Sequence, residues 1–152
     1  MNSKYYNFCQ TIIHKYWVFW NMFKFGCKII ARGFSHDMSK FSRYESTEYS
    51  KVIKRLKHVT YGSPEYKKML AELKPAIDHH TSINSHHPEH YKNGIADMSM
   101  LDKIEMLCDW AVAVRRHNDG DIYRSIEINQ KRFGYSDIEK DIFLSIIREL
   151  EK

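Results

Sequence analysis

Five of the nine histidines of this chain, His79, His80, His86, His87 and His90, fall within twelve positions. Neutral imidazoles and carboxylates are the usual ligands of zinc, iron, manganese and similar cations, so such a cluster points first to a metal site. A site built on helices collects its ligands from several segments. Four segments offer them: His14, the adjacent His36 and Asp37, the run from His79 to His90, and Glu105 with Asp109. Glu105 and Asp109 stand four positions apart, which sends both carboxylates to one helix face. Asp109 sits among Leu107, Cys108, Trp110 and Ala111, where an unpaired carboxylate is costly and a cation is expected to meet it.

Taken singly, each of these residues has an ordinary reading. His14 suits a hydrogen-bonded core histidine, Asp37 a helix cap, and His86, His87 and His90 an exposed polar loop. Their recurrence across four segments favours a shared ion over four separate coincidences.

The elements that must position them read as helices. Long stretches such as residues 98–117 lack glycine and proline, and the whole chain holds only six Gly and three Pro. A first helix is expected from about Tyr5 to about Phe25, buried on Ile12, Tyr16, Phe19, Trp20 and Phe23, with a shorter segment bracketed by Gly26 and Gly33. Ser39 or Ser42 caps the next, through about His58, and Ser42 with Glu45 has the spacing of a capping box. Ser63 and Pro64 open a helix toward His80, kinked at Pro75. Residues 82–97 are irregular, with Pro88 and the Asn93-Gly94 turn signal, a loop long enough to suspect function. Helices from about Ser99 to His117 (inward stripe Leu101, Ile104, Leu107, Cys108, Ala111, Val114), from Asp119 or Asp121 to near Gly134, and from the Ser136/Glu139 capping box through Leu150 complete the chain.

The expected fold is therefore all-α, a compact bundle of about six or seven helices in a single domain over residues 1–152. Three dispersed cysteines form no CxxC pair and no disulfide framework, which fits a reducing, cytoplasmic compartment. The apolar segment from Thr11 to Ala31 carries His14, Lys15, Lys24 and Lys28, so it is read as a buried helix and no membrane partner is expected. The net charge of +5 mildly favours a phosphorylated partner, with nucleic acid as a second option. The aromatic content of 14% leaves room for an oligomer face.

The order His14, His36-Asp37, Asp109 resembles the signature of the HD-domain metal-dependent phosphohydrolases, and "HDMSK" is similar to their "HDxGK", with Ser39 in place of glycine. A closer resemblance covers most of the chain. "HDMSKFSRYE", "HHTSINSHHPEHY" and "IEMLCDW" resemble three blocks of an uncharacterised family found in bacteria, phages and large DNA viruses, where the compartment would be the host cytoplasm. The HD resemblance implies an HD-like helical domain in which His14, His36, Asp37 and Asp109 hold one divalent metal. Asp37 would bridge to a second metal held by His80 and His87, with His79 and His86 as the alternatives within each doublet. Mn, Fe, Zn, Co and Mg are the candidate ions. It further implies that Lys40 and Arg43 bind phosphate, that Glu45 orients a histidine, and that Glu105 does the same or accepts a proton from water. The implied activity is hydrolysis of a nucleotide or related phosphoester by metal-activated water. The competing reading is a non-catalytic, metal-containing module that binds nucleotide or nucleic acid.

Overall fold

The computed structural model describes residues 3–56, 63–115 and 120–152. Among these it contains six α-helices and no strand: α1 (Ser3–Ser35), α2 (Arg43–Leu56), α3 (Pro64–Ile83), α4 (Met100–Val114), α5 (Ile122–Phe133) and α6 (Asp137–Leu150). The all-α expectation holds. The chain divides into two compact units, Met1–His36 and Asp37–Lys152.

The first unit is a single long helix. α1 runs uninterrupted through Gly26 and Gly33, where the sequence suggested a break. A glycine costs a helix interior only about 1 kcal/mol, too little to end one flanked by good helix formers. The helix stops short of Asp37, whose φ of 56° is the one positive value outside glycine among the described residues. The expectation that this helix is buried is corrected too, since none of its residues is buried.

The second unit is built largely from local signals that the sequence carries. The Ser42 hydroxyl accepts the Glu45 backbone N–H at 3.2 Å, capping α2, but the Glu45 side chain turns elsewhere and the box is half formed. Pro64 begins α3, which continues through Pro75 to Ile83. Ser99 caps α4 in a full capping box with Asp102. Asp121 caps α5, and Gly134 ends it at φ 68°, a left-handed turn that suits glycine. Ser136 and Glu139 form the anticipated box at α6. The proposed extensions to His58 and His117 and the alternative cap Asp119 lie outside the described residues.

The core of this unit lies between α4, α5 and α6 and the loop before α4. Ile95, Met106, Leu107, Ile126, Phe143 and Ile147 are almost wholly excluded from solvent. The Tyr135 ring packs edge-on to Phe143 at 5.1 Å and its hydroxyl donates to the Ile126 carbonyl. On α4 the buried residues are Asp102, Met106 and Leu107, so the expected stripe is rotated toward Met106. α2 packs on α3, and Val52 of α2 and Leu73 of α3 are both buried. That pairing brings Glu45 of α2 to the C-terminal end of α3.

Candidate metal centre

Glu45, in the first turn of α2, is completely buried, and its two oxygens face two consecutive histidines of α3. Oε1 lies 2.8 Å from His79 Nδ1 and Oε2 lies 3.0 Å from His80 Nδ1. The Ser39 hydroxyl also donates to Oε2 at 3.1 Å, and Asn84 Nδ2 donates to Ser39 Oγ at 2.8 Å. Burial pushes the Glu45 carboxyl up, yet the hydrogen bonds from His79, Ser39 and His80 outweigh it and hold the group below the usual range. Glu45 is thus an acceptor only, so His80 donates to it from Nδ1 and turns Nε2 the other way.

The Nε2 edge of the ring faces Asp37. His80 Nε2 lies 3.0 Å from Asp37 Oδ1, and His86 Nε2 lies 3.5 Å from the same oxygen. His86 repeats the His80 arrangement, with its Nδ1 3.2 Å from Glu105 Oε1 on α4. His87 completes the group. Its ring centroid is 4.2 Å from that of His86 and 4.9 Å from that of His80, and its Nε2 is shielded from solvent with no hydrogen bond among the described residues. One ligand atom each from Asp37, His80, His86 and His87 lies within 4.8 Å of every other.

The electrostatics suit cation binding. Burial raises the Asp37 carboxyl, but contacts with His80, His86 and Lys40 more than offset it and hold the group far below the usual range. Burial, then the neighbouring His86 and His80, pushes His87 down to about 3, so it stays a neutral imidazole at physiological pH, the form that ligates. Donors bound at about 2.1 Å to one ion stand about 3.0 Å apart across an octahedral edge and about 3.4 Å across a tetrahedral one. The separations of 3.0 and 3.5 Å fall on those edges.

The loop that delivers His86 and His87 is clamped to α4 by Asp102. Ser85 donates to Asp102 Oδ1 at 2.7 Å and the Tyr91 hydroxyl to Oδ2 at 2.9 Å, on either side of the pair. His90 faces away and binds the Ser82 carbonyl. A cavity of about 650 Å³ borders His87 and is lined by Lys74, Asp78, Trp110, Arg132 and Phe133 among others. Trp110 and Phe133 stack with their planes 10° apart.

These positions sort the expected site residues. Both members of the second doublet, His86 and His87, join the cluster, whereas of the first doublet only His80 does; His79 is turned to Glu45 and partly exposed. Asp109 offers a carboxylate oxygen within 4.8 Å of one on Asp37. His36 ends the first unit, one peptide bond before Asp37. His14 is corrected as its co-ligand: the two belong to one unit, and an unbroken α1 sets His14 about 32 Å from Ser35 at 1.5 Å per residue. Lys40 reaches Asp37 Oδ2. Arg43 is exposed at the start of α2. Of the aromatics considered for stacking, Tyr44 packs on His79, Tyr91 binds Asp102, and Trp110 lines the cavity. Burial, then the charges of Glu105 and Asp109, push the Cys108 thiol up, away from the thiolate form.

Sequence reasoning missed Ser39, Asn84 and Asp102. The Ser99/Asp102 spacing carries a legible capping signal, although nothing in it reveals the clamp on the histidine loop. The bond between Ser39 and Asn84, 45 positions apart, has no spacing signal.

A family model covers residues 3–151, nearly the whole chain. The chain belongs to DUF5662, a family of unknown function. No curated protein and no solved structure matches it. Membership therefore brings no substrate, and the reading of this DUF5662 member rests on its own geometry. Among its described residues no helix is long and apolar enough to cross a membrane.

Proposed function

We propose that this DUF5662 member is a metal-dependent phosphohydrolase acting on a nucleotide or related phosphoester. The observation that carries the reading is the pair of carboxylate-backed imidazoles, Glu45 behind His80 and Glu105 behind His86, both presenting Nε2 to Asp37 Oδ1. Carboxylate–histidine pairs of this kind fix tautomer and ring orientation and raise ligand basicity at metal centres. Asp37, His80, His86 and His87 would hold a divalent ion, and the resemblance to HD-domain enzymes adds His36 and Asp109. Such an ion lowers the pKa of bound water and polarises a phosphoryl group.

The remaining roles belong to side chains. Lys40, paired with Asp37, stands where its ammonium can exchange that carboxylate for a non-bridging phosphate oxygen. Glu105 is engaged with His86, which favours its orienting role over proton acceptance. The cavity beside His87 supplies an aromatic floor, Trp110 on Phe133, that suits a nucleobase. Structural zinc sites usually rely on cysteine, whereas this cluster is His and Asp, which argues for catalysis over a purely structural ion.

The test is phosphate release from a panel of nucleotides, phosphomonoesters and phosphodiesters after loading with Mn, Fe, Zn, Co or Mg. Metal-dependent turnover, abolished by Asp37→Asn and lowered at least tenfold by Lys40→Met at unchanged metal content, is expected. Absence of turnover across the panel in chain shown to carry metal would leave a metal-containing binding module and reject the hydrolase.

A further inference from the structure

α1 is 33 residues long, about 50 Å, and fifteen of its large hydrophobic residues are exposed. At about 100° per residue, Phe8, Ile12, Phe19, Phe23, Ile30 and Phe34 fall on one narrow arc of the helix. They are half exposed or more, Phe19 at 64% and Phe34 at 83%. Trp20 and Phe23 stack at 5.5 Å, and Phe19 and Phe23 at 6.2 Å, so the arc carries an aromatic ridge. Asn7, His14, Lys28 and Arg32 take the opposite side, interrupted by Val18, Phe25 and Ile29. Lys15 borders the arc on one edge, and Lys24 lies about 80° beyond the other.

Charge identifies what such a face fits. Residues 1–36 contain five Lys or Arg and no Asp or Glu. A second α1 would bring like charges together along its length. A surface that is apolar beneath and negative above matches both halves of the pattern.

We infer that α1 adsorbs in the plane of an anionic lipid bilayer, its Phe/Ile arc among the acyl chains and its Lys and Arg on the headgroup phosphates. A helix with aromatic residues on one face and basic residues on the other has the composition of interfacial segments. Trp20 and Tyr16, beside the arc, suit the headgroup level, and the long stem of Lys15 lets its charge reach that level from the arc's edge. The inference concerns a helix lying on the membrane and does not depend on the metal centre.

Flotation of the full chain with vesicles of phosphatidylcholine alone, and with about one third phosphatidylglycerol, tests it. Flotation with the phosphatidylglycerol vesicles, weakened by salt, is expected. Lys24→Glu with Lys28→Glu should reduce it about tenfold or more, since each basic residue near an anionic surface contributes appreciably. Phe19→Glu with Phe23→Glu should abolish it without changing the thermal unfolding of the chain. Absence of flotation, equal flotation with neutral vesicles, or indifference to either double substitution would overturn the inference. So would self-association, measured by light scattering, that the Phe substitutions abolish in a chain that ignores vesicles, because a second copy would then be the occupant of the face.

Discussion

Glu45 decides the chemistry of its neighbours because it is buried and accepts from two imidazoles at once. Replacing it by Gln keeps the shape and removes the carboxylate that fixes the His80 proton on Nδ1. Glu45→Gln is expected to weaken metal affinity by about 10- to 100-fold, read by competition with a chromogenic chelator; unchanged affinity would show that Glu45 is only structural. Proton linkage gives a second prediction. Burial, then His86 and His80, sets His87 at about 3, while an unfolded histidine titrates near about 6.5. Between those values the unfolded chain binds a proton that the folded chain refuses, so stability falls as pH drops. Asp37 and Glu45 act in the same direction: burial raises both, their hydrogen bonds depress them further, and the stability so gained is lost on acidification. The urea midpoint of the chain in chelator is expected to fall from pH 7.5 to pH 5, and by less in His87→Asn.

At the scale of elements, α4 does two jobs through one residue. Asp102 closes the capping box with Ser99 and clamps Ser85 and Tyr91 of the histidine loop. Asp102→Ala is expected to cost about 2–4 kcal/mol, combining a lost cap with buried hydroxyls left unpaired. Ser136→Ala at the exposed cap of α6 should cost about 1 kcal/mol. Urea unfolding measures both, and equal costs would contradict the clamp. Caps were the most legible part of the sequence: Pro64, Asp121, Gly134 and Ser136 each act through neighbours within a few positions. The glycines of α1 misled because a weak local penalty was read as a stop. The exposure of α1 was not legible at all, since an apolar stripe records what a helix can cover and not what covers it. The histidine cluster was visible as composition. The choice of His80 over His79 as Asp37's neighbour is physically made by Glu45, from another helix, and by Ser39 and Asn84, which no spacing rule joins.

On the scale of the whole molecule, the second unit carries both the core and the candidate centre, and the two meet on α4, where Met106 and Leu107 pack inward and Glu105 backs His86. Phe143→Ala, at a site 1% exposed, is expected to destabilise the chain by about 3–5 kcal/mol in urea unfolding. A bound ion should stabilise the same unit by mass action, raising its unfolding temperature with metal concentration. The most direct test is the metal content of the purified full chain by plasma mass spectrometry, with the Asp37→Ala, His80→Ala double variant alongside, both prepared without chelator. One to two equivalents of transition metal in the wild type, lost in the variant at unchanged helicity, is the expected result. No metal in the wild type after loading with Mn, Fe or Zn, or equal metal in both chains, would contradict a metal centre at Asp37, His80, His86 and His87.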